Sequence, residues 1–413
     1  MNSPRSPEAL EGADPRTLLI TLTGEDRPGV TSGIFATLAR AGVEVVDIEQ
    51  IVLRGRLILG VLVTAPRDWK RLRGEVEQTA SRLGMSLEVV RGVGDNRSRR
   101  VGRSHVTVIG VPLSARAFAA VAGRIADCGA NIDRIERMAR YPVTAIDLHV
   151  SGAEPDVLRR ALAPEASRQG IDIAVQPSSL LRRGMRLIVM DVDSTLIQGE
   201  VIEMLAAEAG CEAEVAQVTG AAMRGELDFA ESLQRRVALL EGLEAEALNR
   251  VYSSIQLAPG ARTLVRTLRR LGYRFALVSG GFSQITDRLA DDLGIHYSRA
   301  NRLEVVDGRL TGRIDGAVVD RAGKAAALRE FATAVGVGLE SVIAIGDGAN
   351  DLDMLEAAGL GIAYNAKPVV RSAADAAVNV PYLDAIMYLL GISREEIEAA
   401  DAAAGIVTPS PPV

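Results

Sequence analysis

Two carboxylates two residues apart open the chemistry of this chain: Asp191-Val192-Asp193-Ser194-Thr195 directly follows the apolar run Leu187-Ile188-Val189-Met190. Period two on an extended backbone lets both acids face one pocket. Acids this close repel unless a cation or a shared proton offsets them, so the pair implies Mg²⁺ or a raised pKa. One could attack while the other handles protons. Three further groups extend the pair. Ser279-Gly280-Gly281 follows the apolar run Phe275-Ala276-Leu277-Val278, where free N–H groups can hold a phosphoryl oxygen. Gly346-Asp347-Gly348-Ala349-Asn350-Asp351 follows Val342-Ile343-Ala344-Ile345 and brings carboxylates to a third strand end, where hard-cation ligands would be placed. Lys324, at a helix start, could neutralise a phosphoryl group or the nucleophile. Taken singly, these would be a helix cap, a turn, a second cap and a solvated lysine.

The elements that must position these groups follow from periodicity. From about residue 187 short, near-continuous apolar runs alternate with helical patterns, which predicts strands buried on both faces of a parallel sheet. Residues 201–257 read as helices only, an insertion after the first strand of an α/β fold. In such sheets the ligand sits at the carboxyl ends of the strands, where all the candidate groups fall. Ahead of this region the pattern is different. Residues 16–94 read as strand, helix, strand, strand, helix, strand, a βαββαβ unit of ferredoxin-like size, and residues 104–178 repeat that order. Ala41-Gly42-Val43-Glu44 aligns with Cys128-Gly129-Ala130-Asn131, and Ile48-Glu49 with Ile135-Glu136, so the economical reading is two copies of one module. The expected division is a tail at 1–15, modules at 16–94 and 104–178, a catalytic domain at 185–400 with its helical insertion at about 201–257, and a tail at 401–413.

Composition limits the alternatives. The 413 residues suffice for two or three domains, and 48% apolar with 24% charged residues excludes a disordered or collagen-like chain. A formal charge of −6 argues against binding nucleic acid by bulk electrostatics. Two cysteines without CxxC spacing, Cys128 and Cys211, indicate neither a disulfide framework nor a structural zinc site. No apolar leader and no long uncharged apolar run is present, so the expected location is the cytoplasm, with no membrane partner. Three histidines and few aromatics supply imidazole catalysis and base stacking poorly, which leaves carboxylates as the chemists.

The ordered set of acid pair, Ser-Gly-Gly turn, lysine and Gly-Asp-Gly-x-Asn-Asp resembles the haloacid dehalogenase superfamily. Within it, DVDSTLIQGE, AAMRGELDFAESLQRRVALL, LVSGGFSQI, ANRLEVVDGRLTG and AIGDGANDLDML resemble the phosphoserine phosphatases over residues 187–385. The resemblance implies a Rossmann-like parallel sheet with a helical cap. It implies hydrolysis of O-phospho-L-serine through a phosphoaspartate, the last step of serine biosynthesis. Asp191 would be the nucleophile and Asp193 the acid and then the base. Mg²⁺ would be held by Asp191, the backbone carbonyl of Asp193 and Asp347, with Asp351 orienting nearby groups. Ser279, Gly280, Lys324 and Asn350 would bind the phosphoryl group. Glu200 and Arg236 would meet the substrate's ammonium and carboxylate, with Met223 and Phe229 as apolar walls.

The front modules resemble ACT domains, which sense amino acids; the first carries TLTGEDRPGVTSGIFATLARAG and the second a weaker GVPLSARAFAAVAGRIADCGANID. That resemblance implies a homodimer through these modules and an amino-acid effector, L-serine as the end product. Candidate effector contacts are Asp26 and Gly29 in the first module and Gly110, Asn131 and Asp133 in the second. Nucleic-acid binding on the same fold would need exposed aromatics on the central strands, and VEVVDIEQIVL, RLILGVLVTA and NIDRIERMAR hold none. RSRRVGR is then a solvated linker. Two competitors remain: an amino-acid sensor with a vestigial phosphatase domain, and a phosphatase of another small phosphomonoester or of a phosphoprotein.

Overall fold

The computed structural model describes residues 16–94, 102–224 and 226–409, with the side chains of 181, 183 and 223 left out. The expected tail at 1–15, the end at 410–413 and most of the basic linker lie outside the described residues. Two compact units are present, dividing between Arg99 and Arg100.

The first unit is an antiparallel sheet of β1 (Arg16–Glu25), β2 (Val45–Leu53), β3 (Arg56–Thr64) and β4 (Ser86–Val93), in the order β2-β3-β1-β4. Its alternation has a direct packing cause. Leu18, Ile20 and Leu22 of β1 and Leu57, Leu59, Val61 and Val63 of β3 point to one face, against Ile34 and Leu38 of helix Val30–Arg40 and Leu72 and Val76 of helix Trp69–Arg82.

The second unit begins with the other module: β5 (Ser104–Gly110), helix Ala115–Asp127, β6 (Asn131–Ala139), β7 (Thr144–Ser151), helix Pro155–Gln169 and β8 (Asp172–Pro177). The repeat is visible in the backbone. Gly42 (φ 65°) and Gly129 (φ 74°), aligned in the sequence, both turn the chain in the left-handed region just after a helix.

The catalytic region adds β9 (Leu187–Met190), β10 (Arg274–Phe282), β11 (Tyr297–Val306), β12 (Arg309–Asp315), β13 (Val342–Gly346), β14 (Leu360–Tyr364) and β15 (Ala376–Val378). The whole unit shares one sheet, β12-β11-β10-β9-β13-β14-β15-β8-β5-β7-β6. β9 lies centrally, parallel to β10 and β13, and every residue of it is buried, as its unbroken apolar run requires. Helices Val201–Ala209, Glu212–Met223, Phe229–Ala238 and Ala247–Ser254 occupy the insertion between β9 and β10.

Three features depart from the sequence reading. First, the second module is not a separate bead: β8 pairs antiparallel with β15 at Ala174 and Ala376, and Asp172 accepts hydrogen bonds from Asn379 N (2.7 Å), Asn379 Nδ2 (2.6 Å) and Val380 N (3.1 Å). Second, β11 and β12 form a hairpin whose Asp307-Gly308 turn has both φ values positive (51° and 75°), the two-residue turn that Asp-Gly favours. Third, the expected tail from 401 is held in place through residue 409. Helix Arg394–Ala403 crosses the expected boundary, and Asp401, fully buried, pairs with Arg266 and Arg270 and accepts from Thr408 Oγ1. Among the described residues no helix is long and apolar enough to cross a membrane.

Candidate active site

Asp191 leaves the end of β9 on extended backbone (φ −66°, ψ 161°), and Ser194 then turns through the left-handed region (φ 56°). This tight reversal lets Asp191 and Asp193 share one pocket, because Ser194 N is tied to Gly199 O (3.0 Å) and Ile197 N to Val192 O (3.0 Å). Asp191 is buried; its Oδ1 accepts from Val192 N (2.8 Å) and lies 2.8 Å from Lys324 Nζ. Asp193 is fixed from both sides: Oδ1 accepts from Val201 N (2.8 Å) and Oδ2 from Ser279 Oγ (3.1 Å).

Lys324 emerges from the first turn of helix Arg321–Val335, whose N-cap Asp320 accepts from Gly323 N (2.7 Å). Its ammonium is completely buried and also bonds Asp351 Oδ1 (2.6 Å). Asp351 Oδ2 accepts from Gly348 N (3.0 Å), so this acid holds the lysine and the loop after β13 together. Gly346 is obligatory there, since a Cβ on it would meet Asp351 Cγ at 2.5 Å.

The electrostatics match a site that waits for a cation and a proton. Burial and the charge of Asp351 push the Asp191 carboxyl well above its ordinary range, against the pull of Lys324. Burial also raises Asp193, despite the hydrogen bonds from Val201 and Ser279. Asp347 is pushed up to about 6 by burial and by Asp351. For Lys324, burial works against the charge, but Asp191 and Asp351 outweigh it and raise the ammonium above its ordinary value. Carboxylate oxygens of Asp191, Asp347 and Asp351 lie within 4.8 Å of one another, an all-oxygen donor set that fits a hard divalent cation.

The outer part of the pocket is formed by the helical insertion. Glu200 precedes helix Val201–Ala209 and accepts from Ser194 Oγ (3.3 Å); burial and the charges of Asp193 and Asp347 push it to about 7. Arg236, half-buried on helix Phe229–Ala238, is lowered by burial but feels Glu200 and Asp193. The Phe229 ring covers Gly280, where an added Cβ would meet Cζ at 2.8 Å. Asn350 packs beside Gly348. Met223 ends helix Glu212–Met223, and its side chain lies outside the described residues.

The five effector candidates take no part in this pocket. Asp26 and Gly29 lie in the loop before helix Val30–Arg40, with Gly29 at φ 95°; Gly110 ends β5, and Asn131 Nδ2 donates to Asp133 Oδ1 (2.8 Å) at the start of β6. Two supporting residues were not read from the sequence. Thr195 Oγ1 donates to Asp347 Oδ1 (2.9 Å), joining the two acidic runs, and its place in DVDST was a usable signal. Asn301, buried on β11, donates to Gly280 O (2.8 Å) and accepts from Val319 N (2.7 Å); nothing in its neighbours' types announces that role.

Comparison with known proteins agrees with this arrangement. Haloacid dehalogenase-like hydrolases match residues 188–356, and ACT domains match residues 16–90 and 103–176. A phosphoserine phosphatase of Streptomyces coelicolor is 60% identical, covering 96% of this chain and 97% of its own length. Phosphoserine phosphatase SerB2 of Mycobacterium tuberculosis is 52% identical over 94% of this chain and 96% of its own. A crystal structure of a haloacid dehalogenase family hydrolase from Salmonella enterica serovar Typhi is 29% identical, with TM-score 0.61 over 70% of this chain and 98% of its own. Similarity of this extent, over both the front modules and the acidic pocket, shows that the chain belongs to the phosphoserine phosphatase family of haloacid dehalogenase-like hydrolases with two ACT domains.

Proposed function

We propose that the chain hydrolyses O-phospho-L-serine to L-serine and phosphate through a phosphoaspartate on Asp191. The observation that carries this reading is the contact of Asp191 with buried Lys324 while Asp193, 86 residues before Ser279 in sequence, is held by that serine's hydroxyl. In the first step an Asp191 carboxylate oxygen bonds to phosphorus as the phosphorus–serine oxygen bond breaks, and Asp193 gives its proton to the leaving alkoxide. Burial, which raises the Asp193 carboxyl above its ordinary range, suits it to that task. In the second step Asp193 takes a proton from water, the water oxygen bonds to phosphorus, and Asp191 is regenerated. Lys324, Ser279 and the Gly280 amide face the charge of the transferring group, Gly281 N donates to Ser279 Oγ (2.8 Å), and Asn301 holds the Gly280 peptide in place.

Mg²⁺ suits the oxygen donors, with Asp191, the Asp193 carbonyl and Asp347 as its holders and Asp351 orienting Lys324. When bound it supplies positive charge against the phosphoryl oxygens. Glu200 and Arg236 offer one anion and one cation beyond the phosphate site, which favours a zwitterionic amino-acid substrate over a plain phosphomonoester or a phosphopeptide. Met223, Phe229 and Asn350 complete that pocket.

The proposed domain division is that of the sequence reading, except that the catalytic domain, from 185, includes helix Arg394–Ala403 and runs on through residue 409. Regulation by L-serine at the ACT modules, through Asp26 and Gly29 in one and Gly110, Asn131 and Asp133 in the other, belongs to the same proposal, as does a homodimer. Edge strand β2 exposes Val45, Ile48, Ile51 and Leu53, an apolar edge of the kind that pairs with another chain. The reaction is assigned to the last step of serine biosynthesis in the cytoplasm.

The test is steady-state phosphate release with Mg²⁺ from O-phospho-L-serine, a phosphoserine peptide and phosphoglycolate, each with and without L-serine. Preference for the free amino acid and inhibition by serine support the reading. Equal turnover of the peptide overturns the substrate, and no turnover of any of them overturns the enzyme.

A further inference from the structure

A second cluster of ligating side chains lies far along the sheet from the acidic pocket, in the second module. His105 of β5 and His149 of β7 are direct cross-strand partners, and Asp147 sits two residues before His149 on the same face. Glu136 of β6 is paired across from Asp147, so all four side chains fall on one patch of the sheet. The two imidazole rings meet edge-on with centroids 4.5 Å apart.

Ligand atoms of His105, Asp147 and His149 all lie within 4.8 Å of one another. His105 Nδ1 is 2.8 Å from Asp147 Oδ2, His149 Nε2 is 3.8 Å from the same oxygen, and His149 Nε2 is 3.7 Å from Glu136 Oε2. Four ligands at tetrahedral zinc bond lengths stand roughly 3.4 Å from one another. His149 Nε2 is shut off from solvent and has no hydrogen-bond partner among the described residues, a costly state for a ring nitrogen.

The surroundings hold the ligands as metal sites commonly do. Thr107 Oγ1 donates to Asp147 Oδ1 (3.0 Å), and His105 Nε2 faces Ser178 Oγ at 3.5 Å. When Nδ1 presents its lone pair, the ring proton therefore has an acceptor at Nε2. Two arginines compete: Arg182 Nη1 is 3.1 Å from Asp147 Oδ2 and Nη2 is 3.4 Å from Oδ1, and Arg134 Nε is 2.9 Å from Glu136 Oε1. Arg182 also donates from Nε to Leu389 O (3.0 Å), so Asp147 is tied through one side chain to the catalytic region.

We propose that His105, Asp147 and His149 supply three ligands to a borderline divalent transition metal such as Zn²⁺, separate from the acidic site, with Glu136 beside them. Two imidazoles select such an ion over Mg²⁺. Because the arriving ion shares Asp147 with Arg182, occupancy alters the contact between the second ACT module and the catalytic region.

The test is a Co²⁺ titration of the full chain in saturating Mg²⁺, which fills the all-carboxylate site, read by visible absorption. One Co²⁺ per chain with the intense absorption of tetrahedral cobalt, bleached by Zn²⁺, is expected. His149→Gln and His105→Gln each remove the band while keeping the circular dichroism of the parent, and Asp191→Asn leaves it in place. No intense band, or a band that survives His149→Gln, overturns the proposal, whether or not the chain releases phosphate from phosphoserine.

Discussion

Lys324 Nζ lies 2.8 Å from Asp191 Oδ1, and that lysine is the largest charged group wholly withdrawn from water in the described chain. With Asp351 at 2.6 Å on its other side, it is the only cation in ion-pair contact with either acid among the described residues. Lys324→Met leaves two buried carboxylates without it. The expected result is a loss of about 3–5 kcal/mol in denaturant unfolding of the metal-free protein together with loss of turnover. Unchanged stability contradicts the pairing.

Asp347 gives a pH-dependent effect of known sign. Its carboxyl titrates at about 6 in the folded chain against an ordinary 3.8, so the folded state favours the proton. The metal-free protein therefore loses stability as pH rises from 3.8 through about 6. Asp347→Asn removes that cost and stabilises the metal-free chain above this range by up to about 3 kcal/mol, while weakening Mg²⁺ binding. Thermal unfolding across pH, with chelator present, reads both arms.

Glu200 is held near 7 by burial and by Asp193 and Asp347, so it is largely protonated on the acid side of neutrality. Its carboxylate is the form that meets a substrate ammonium. KM for O-phospho-L-serine is expected to fall as pH rises through about 7. Glu200→Gln raises KM and flattens that change; an identical pH profile in the variant contradicts the assignment.

Phe229 and Gly280 are matched in shape, since a Cβ at Gly280 would stand 2.8 Å from the ring. Gly280→Ala is expected to raise KM about 10-fold or more by displacing the ring or the phosphate-binding peptide. Adding Phe229→Leu recovers part of the loss if the ring is the obstacle.

Much of this was legible in the sequence because the strands carrying chemistry are short, unbroken apolar runs, and each ends in its functional residues: Asp191, Ser279 and Asp347 follow Met190, Val278 and Gly346. The αL glycines Gly42 and Gly129 made the repeated module visible. What stayed hidden depends on contacts between distant segments. Nothing local marks Asn301 as the residue that holds Gly280, and Asp172 reads as an ordinary strand-start acid until Asn379 and Val380 are folded against it. The β11–β12 hairpin is a different case, for its Asp307-Gly308 turn was available as a signal.

The joining of β8 to β15 makes a prediction about truncation. Removing residues 1–99 leaves the second unit whole. A chain beginning near residue 180 loses Asp172, the acceptor of the Asn379 and Val380 amides, and Gln176, one of the two side-chain donors to Leu389 O. It should unfold at least about 2 kcal/mol more readily, as measured by urea titration.

The central claim is most directly tested by single-turnover reaction with O-phospho-L-serine and Mg²⁺, quenched in acid and analysed for phosphate bound to the protein. Transient phosphate on Asp191 is expected to form before free phosphate accumulates, and neither species is expected in Asp191→Asn. Free phosphate released without any protein-bound phosphate, or release that persists in Asp191→Asn, would contradict it.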